Sequence, residues 1–309
     1  VEDQRLITGT GQYTDDVQLD GQAHGVLLRA PVAHARIASI DTAAALEVPG
    51  VLAVYTIDDL KADGIGDLPC MIPLKNRDGS DRAETPHPAL ADGVVRYVGE
   101  PLAVVFADDP YTAEDAANLI WAEIDEHPAI NDATDPPGEF SPGQDTEATV
   151  IEKGYGDVDA AFAVSDDVVE LELRTGRHSG VPLECRGGLA RINPDTGGLE
   201  YYAATKRAHP NRDQIARTLG LDPAKVDLFE GSVGGGFGMK NGVFPEDALV
   251  AWAARELGRP VKWTGDRSES LVSDTHGRDA ETDSEMALDE NGKILAIRVK
   301  ADYGVGAYL

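Results

Sequence analysis

Residues 231–240 read Gly231-Ser232-Val233-Gly234-Gly235-Gly236-Phe237-Gly238-Met239-Lys240, and this segment is called the glycine loop below. Glycine loses more backbone freedom on folding than any other residue, so such a run needs a structural reason. Positive φ angles, or close approach of the backbone to a bound group, would each supply one. Consecutive unobstructed amides can point at one anion and form a nest for a phosphate or a metal-bound oxo group. The run therefore predicts either an anion-binding loop or a plain turn between a strand and a helix.

The spacing within the glycine loop excludes two familiar phosphate-binding motifs. A P-loop needs Gly-Lys-Ser/Thr, but Met239 precedes Lys240 and Asn241 follows it. A dinucleotide fingerprint needs a third glycine three positions after the second, and counting from Gly234 and Gly236 that position is Met239. A flavin or nicotinamide dehydrogenase is therefore disfavoured.

Length and residue composition indicate a globular protein whose side chains hold no metal. The 309 residues suffice for two domains, and 42% of them are hydrophobic. The two cysteines, Cys70 and Cys185, are too few for a disulfide framework and fit no metal-ligand spacing. The seven histidines are scattered, without a zinc-type pair. We expect any metal to be carried by a cofactor.

The charge of the chain argues against nucleic acid as a partner. Asp and Glu number 55 against 27 Lys and Arg, which gives a net charge of −28. Binding of phosphate backbones needs the opposite sign. Apolar runs fall short of the roughly 18 residues that a membrane span needs, and the first residues lack a secretory pattern. We expect a cytoplasmic protein without a membrane span.

Local patterns predict strands and helices in both halves of the chain. Short apolar or alternating runs predict strands at residues 25–29, 51–56, 101–107, 168–174 and 198–204. Helical spacing and end signals predict helices at residues 42–47, 112–122, 211–219 and 245–257, the second with its cap within residues 111–115. The strand at 168–174 is expected to be half exposed, and the strand at 101–107 buried. Pro, Gly and acidic residues at 131–147 indicate a linker between two α+β regions.

Several segments, in order and spacing, resemble the molybdenum-binding large subunit of the xanthine oxidase family, which includes aldehyde oxidoreductases and aerobic carbon monoxide dehydrogenases. The glycine loop is similar to its G-G-G-F-G-x-K loop. The other matching segments are residues 5–16 (R-L-L-T-G-x-G-x-Y-x-D-D), 33–37, 98–103, 182–187 (P-[ML]-E-x-x-G), 258–263 (G-R-P-V-K-W), Arg267, Glu269 and 276–278. The resemblance extends over nearly the whole chain.

This resemblance implies an α+β fold: an α/β-hammerhead domain at residues 1–132, a linker at 133–148, and the first half of a molybdopterin-binding α+β region at 149–309. It also implies that Gly235, Gly236, Phe237 and Gly238 contact molybdopterin, in its cytosine dinucleotide form, whose pterin holds the molybdenum. Amides suit that role because they stabilise negative charge without a proton to lose. Phe237 would either wall the pocket or fill the core.

Three further residues are candidates for the pocket. Asn241 stands where xanthine-oxidising members have Glu, which puts purine binding in doubt. His178 stands where they have Gln; it would either bond a molybdenum oxygen or serve the fold. Arg278 would either orient an oxyanionic substrate through its planar guanidinium or form a surface ion pair. Cys185 is expected to be structural.

The family's chemistry implies partners that these residues do not include. Members hydroxylate an aldehyde or N-heterocycle, or oxidise carbon monoxide, with oxygen from water, and a distant C-terminal glutamate acts as general base. The resemblance therefore implies a partner chain or segment with the second molybdopterin-binding half, an iron–sulfur subunit with [2Fe-2S] clusters and an FAD subunit. We expect the chain alone to be inactive on its small-molecule substrate. The alternative is a non-catalytic assembly module without its own cofactor; molybdenum content separates the two.

Overall fold

A computed structural model describes residues 3–70 and 72–309; Val1, Glu2 and Met71 lie outside the described residues. The chain forms two compact units, and each is built from separate stretches of sequence. The first unit contains the residues up to 69, 86–128 and 180–275, and the second contains 70–85, 129–179 and 276–309. These units are defined by contacts within the structure, whereas the predicted domains are defined by sequence resemblance. The units therefore do not test the predicted boundaries at residues 132 and 149, which stay predictions.

The first unit is a layered α+β structure around a seven-stranded sheet with the order β12-β11-β10-β13-β1-β5-β3. A smaller sheet has the order β4-β2-β6. The strands are β1 (Ala23–Arg29), β2 (Ala35–Asp41), β3 (Val51–Tyr55), β4 (Val94–Val95), β5 (Pro101–Ala107), β6 (Trp121–Glu126), β10 (Gly187–Ile192), β11 (Leu199–Ala203), β12 (Val226–Phe229) and β13 (Val261–Thr264). The helices are α1 (Asp3–Ile7), α2 (Ala43–Leu46), α3 (Ile57–Ala62), α4 (Pro110–Ala117), α6 (Ala208–Thr218), α7 (Pro245–Glu256) and α8 (Arg267–Ser273).

The centre of the large sheet is apolar, as the uninterrupted run at 101–107 predicts. All seven residues of β5 are buried between antiparallel neighbours β1 and β3. Helix α7 packs its apolar residues against β10 and β13, and Trp252 is 2% exposed. The predicted strands at 25–29, 51–56 and 198–204 and the predicted helices at 42–47, 211–219 and 245–257 are confirmed within a few residues at their ends.

The predicted helix at 112–122 forms, but its predicted cap and its predicted C-terminal end are wrong. Asp109 caps it by accepting hydrogen bonds from the amides of Tyr111 and Thr112, both at 3.0 Å, and Pro110 occupies the first turn. The helix ends at Ala117, and β6 begins at Trp121 and pairs antiparallel with β2. Pairing with a neighbouring strand outweighs the local helical spacing of the apolar residues there.

The second unit contains a three-stranded antiparallel sheet with the order β15-β14-β9. Its elements are β7 (Glu139–Ser141), β8 (Gln144–Asp145), α5 (Val158–Ala163), β9 (Asp167–His178), β14 (Gly277–Leu288) and β15 (Ile294–Tyr303). The predicted linker thus includes a short hairpin, β7–β8. The predicted strand at 168–174 is confirmed, but every residue of β9 is exposed, so its apolar side lacks the cover that the alternation predicts.

None of the described helices is both long and apolar enough to cross a membrane.

Candidate functional site

The glycine loop leaves β12 as irregular backbone and ends in a 3₁₀ turn at Met239–Asn241. Three of its residues have positive φ: Gly235 at 102°, Phe237 at 46° and Gly238 at 93°. Left-handed backbone costs a non-glycine residue about 1 kcal/mol or more, so the conformation of Phe237 is a local strain that its neighbours must hold. At residues 235 and 238 the glycine is explained by a positive φ, which is one of the two reasons that the sequence predicts.

The amides in the middle of the loop are not used by the fold. At its two ends, the Ser232 amide donates to the Gln12 carbonyl and the Met239 amide to the Gly236 carbonyl, both at 2.7 Å. Among residues 3–70 and 72–309, the amides of residues 235 to 238 donate no hydrogen bond. Four successive backbone donors are therefore available to a bound group rather than to sheet pairing.

The side chain of Glu184 holds the loop in this shape. Its Oε2 accepts from the Gly234 amide at 2.7 Å and from Lys240 Nζ at 2.9 Å, so one carboxylate joins both ends of the open segment. Lys240 is 1% exposed in its side chain. A Cβ at Gly234 would lie 2.4 Å from Glu184 Cβ, so only glycine fits there. The sequence shows both the P-L-E segment and the loop lysine, but not that they pair.

Lys206 is a second residue at the loop that sequence reasoning missed. Its side chain lies across Gly236, where a Cβ would stand 2.6 Å from Lys206 Cε and 3.2 Å from Nζ. Lys206 is exposed, and within the described residues no carboxylate pairs with it. It therefore adds a positive charge beside the open amides, in a chain of strongly negative net charge. Nothing in its local sequence spacing points to this position.

Phe237 is 72% exposed, so the prediction of a core aromatic is wrong. The segment before Glu184 lies against the loop: a Cβ at Gly180 would stand 3.0 Å from Phe237 Cβ. In that segment Val181 is 46% and Leu183 93% exposed. The open amides therefore have an exposed apolar rim beside them.

A buried network of charges supports the segment that carries Glu184. Arg186 Nη1 lies 2.7 Å from Glu246 Oε2, and Arg186 Nε lies 2.5 Å from Asp274 Oδ1. Arg29 Nη2 lies 2.6 Å from both Glu246 and Glu269. Burial by itself would raise the pKa of Glu246, but the two guanidinium groups outweigh it and lower this pKa to about 2. The network is ionised and anchors β1, β10, α7 and α8 to one another.

A small cavity lies behind Lys240, next to Asn211 and Tyr201, with a volume of about 20 Å³. That space holds about one water molecule. It is too small for a substrate.

Of the three further pocket candidates, one is in the first unit and two are in the second. Asn241 lies in the first unit, half buried, at the end of the turn that closes the glycine loop. His178 and Arg278 lie in the second unit, at one end of the β9–β14 pair, where His178 faces Gly277 and Arg278 faces Arg177.

The contacts of these two residues bear on their predicted roles. His178 is exposed, and its Nδ1 lies 2.7 Å from the Gly176 carbonyl oxygen, which fits a structural role. Arg278 has φ of 76°, and in the described part of the chain it has no ion pair, so the predicted surface ion pair is absent there. The pocket roles of both residues stay predictions.

Both cysteines are free thiols and partly buried. The described residues contain no cluster of three or more His, Cys, Asp or Glu side chains placed to hold a metal ion. The chemistry available at the loop is thus that of backbone donors, one lysine and an apolar rim. Such a set suits an anionic organic group better than a bare cation.

Two family models match the chain. Residues 8–128 match the aldehyde oxidase and xanthine dehydrogenase a/b hammerhead domain, and residues 141–309 match the molybdopterin cofactor-binding domain. The α+β fold class and the two predicted modules of the resemblance are confirmed.

Relatives with similar sequences include subunits of dehydrogenases. The 6-hydroxypseudooxynicotine dehydrogenase complex subunit gamma of Paenarthrobacter nicotinovorans is 40% identical over 99% of this chain and 39% of its own length. The carbon monoxide dehydrogenase large chain of Hydrogenophaga pseudoflava is 35% identical over 98% of this chain and 39% of its own. The chain thus spans about two fifths of the length of these relatives.

Solved structures agree. Quinoline 2-oxidoreductase from Pseudomonas putida 86 matches with a TM-score of 0.82 at 34% identity, over 97% of this chain and 38% of that one. CO dehydrogenase from Oligotropha carboxidovorans matches with a TM-score of 0.86 at 31% identity, over the same shares of 97% and 38%. The chain belongs to the molybdopterin cofactor-binding family of the aldehyde oxidase and xanthine dehydrogenase type.

Proposed function

We propose that this chain binds a molybdenum–molybdopterin cofactor through the amides of Gly235, Gly236, Phe237 and Gly238. It does so as part of the large subunit of an oxidoreductase that hydroxylates an aldehyde or N-heterocycle, or oxidises carbon monoxide. The observation that carries the proposal is the row of four unpaired amides on strained backbone. Backbone of this kind persists only where the surrounding structure holds it, and it is concentrated at functional sites.

The donor set fits an anionic cofactor. Three of these four positions are glycines, so no side chain stands beside their amides. Lys206 lies across Gly236 and supplies positive charge for a phosphate or another anionic group. When bound, the molybdenum centre would supply the two-electron oxidation of the substrate, with water as the oxygen source.

The residues of this chain would bind and orient rather than transfer protons. Glu184 already accepts from Gly234 and Lys240, so its carboxylate serves the loop's shape and is not free to act as a base. Phe237, Val181 and Leu183 present apolar surface that would exclude water on one side of the substrate. The general base must then come from elsewhere in the assembly.

The names of the relatives support the substrate class and the partners. They include a nicotine 6-hydroxylase large subunit, a carbon monoxide dehydrogenase large chain and a subunit of a dehydrogenase complex. We propose that this chain is part of a cytoplasmic complex that contains the cytosine dinucleotide form of the cofactor. The other parts of the complex would be a [2Fe-2S] subunit, an FAD subunit and a second molybdopterin-binding half. Without that half, residues 1–309 are expected to show no turnover.

Two glycine variants test cofactor binding in the native assembly. Gly238→Ala places a side chain at φ of 93° and should displace the neighbouring amides, whereas Gly242 has φ of −115° and open space around its Cβ position. We expect Gly238→Ala to lower the molybdenum and pterin content several-fold and Gly242→Ala to leave it unchanged. The content is measured by elemental analysis and pterin fluorescence.

Two results would contradict the proposal. Equal cofactor content in both variants would show that the loop does not bind it. An assembly of unmodified chains without molybdenum would favour the non-catalytic assembly module.

A further inference from the structure

The sheet of the second unit separates apolar and charged residues between its two faces. Residues that face each other across antiparallel strands point to the same side of a sheet, and the side alternates along each strand. In the observed register, Leu171 faces Ser284, and Ser284 faces Val299. This side, called the apolar face below, comprises Val169, Leu171, Leu173, Thr175, Ala280, Thr282, Ser284, Met286, Ile297, Val299, Ala301 and Tyr303. These twelve positions contain no charged residue, although the chain carries 82 ionisable Lys, Arg, Asp and Glu residues in total (27 and 55). Charged residues begin at the two ends of this side, with Asp167 opposite Leu288 and Arg177 opposite Arg278.

The opposite face of the same sheet is ionic and partly covered. It presents Arg174, Glu281, Glu285 and Arg298, which form pairs at 3.0 Å (Arg174–Glu281) and 2.7 Å (Arg298–Glu285). Helix α5 packs on this side, with the Arg298 guanidinium 4.5 Å from the centre of the Phe162 ring. The ionic face of this sheet is therefore partly covered by helix α5. The apolar face has no such cover among the described residues of the second unit.

The apolar face is exposed at its largest side chains. Leu171 is 52%, Leu173 53%, Ile297 55%, Val299 56% and Tyr303 64% exposed. Strands lie about 4.8 Å apart and same-side residues repeat about every 6.8 Å, so the twelve positions cover roughly 400 Å² in projection. A patch of that size is within the roughly 300–600 Å² of the largest apolar patch on a typical monomer, and such a patch is often a functional site.

The length of the relatives indicates what covers this face. They are more than twice as long as this chain, which covers 39% of two of them, so a large part of each relative lies outside the matched region. A face without charge is recognised by apolar contact, which excludes a polar or phosphate-rich partner. A two-faced antiparallel sheet normally packs one face on a core, and here that core must come from other polypeptide.

We infer that the apolar face is the docking surface for the remaining part of the large subunit, the polypeptide that also supplies the second molybdopterin-binding half. This inference rests on the proposed function, because it takes the chain to be part of a longer large subunit. The occupant packs an apolar layer on β9, β14 and β15, whether it is fused to this chain or separate from it.

Hydroxyl-radical footprinting with mass spectrometry tests the inference on the isolated chain and on the native assembly. Tyr303 and Leu173 should be oxidised several-fold more slowly in the assembly than in the isolated chain. Tyr155, which is 96% exposed and outside the sheet, is the internal reference and should react equally in both. Unchanged oxidation of Tyr303 in the assembly would overturn the inference.

Matched variants on neighbouring residues of β15 locate the effect on one face. Val299→Glu places a charge on the apolar face, and Lys300→Glu places the same residue on the ionic face. In the assembly, Val299→Glu should restore fast oxidation of Tyr303, while Lys300→Glu should keep it slow. Circular dichroism of the isolated variants should be unaltered, since both positions are exposed there. Equal protection in both variants contradicts the inference.

Two measurements separate this inference from its alternatives. If the isolated chain is a dimer by light scattering and Tyr303 is already protected, a second copy covers the face and the inference is wrong. Molybdenum content of the same assembly reports the proposed function independently. If molybdenum is present and Tyr303 is unprotected, the inferred docking surface is contradicted and the proposed function is not. If Tyr303 is protected and molybdenum is absent, the proposed function is contradicted and the docking surface is not.

Discussion

The seven-stranded sheet of the first unit and the three-stranded sheet of the second unit bury their apolar residues to different degrees. In the first unit, β5 is buried along its whole length and helices cover the sheet. In the second unit, β9 is exposed along its whole length, although Val169, Leu171 and Leu173 alternate with charged residues as in a core-facing strand. The continuous apolar run of β5 is buried as predicted, whereas the alternation in β9 leads to no burial of its apolar side. Alternation therefore indicates which face of a strand is suited to be covered, not whether this chain covers it.

The largest expected difference between the units concerns their charges. Glu246→Gln should destabilise the first unit by about 3–5 kcal/mol, because it leaves Arg186 and Arg29 buried without their shared carboxylate. Glu285→Gln, in the partly exposed pair with Arg298, should cost about 0–1 kcal/mol. Urea unfolding of the two variants measures both. Equal losses of unfolding free energy in the two variants would show that the buried network contributes no more to stability than the partly exposed pair.

A pair of leucine variants compares the two sheets directly. Leu189 in β10 is fully buried and Leu171 in β9 is 52% exposed. Leu189→Ala should cost about 2–5 kcal/mol, because it opens a cavity in a packed core. Leu171→Ala should cost about 0.5 kcal/mol or less in the isolated chain, as for other surface changes. Thermal and urea unfolding give the values. A large loss for Leu171→Ala would mean that the apolar face is already packed in the isolated chain.

Acid should act on the first unit through Glu246. Its pKa is about 2 when folded and returns towards 4.5 on unfolding, so the unfolded chain takes up the proton first as the pH falls. The stability from this carboxylate is complete above about pH 4.5 and is lost by about pH 2, about 3 kcal/mol in all at 1.36 kcal/mol per pKa unit. Burial raises the pKa of Glu269, which opposes part of the loss. Unfolding midpoints between pH 5 and pH 2 should fall less in Glu246→Gln; parallel curves would contradict the assignment.

The sequence predicted what depends on local pattern and missed what depends on distant contacts. The local structure of the apolar run at 101–107 and of the glycine loop can each be predicted from ten residues or fewer. The end of α4 was missed because β2, far earlier in the chain, pairs with residues that also fit a helix. The ion pair of Glu184 with Lys240 and the position of Lys206 over Gly236 arise only after folding. His178 and Arg278 were predicted for the pocket from resemblance, and that role stays a prediction.

One strand pairing has a consequence for how the protein is made. Ala23 in β1 pairs parallel with Val261 in β13, so two residues 238 positions apart in the sequence (261 − 23) are neighbours in the large sheet. During synthesis this edge of β1 has no partner until the ribosome has passed β13, and pairings over such separations form slowly. An open apolar edge is prone to aggregate in that interval. Yield from recombinant expression should therefore depend on chaperone supply and on slow translation.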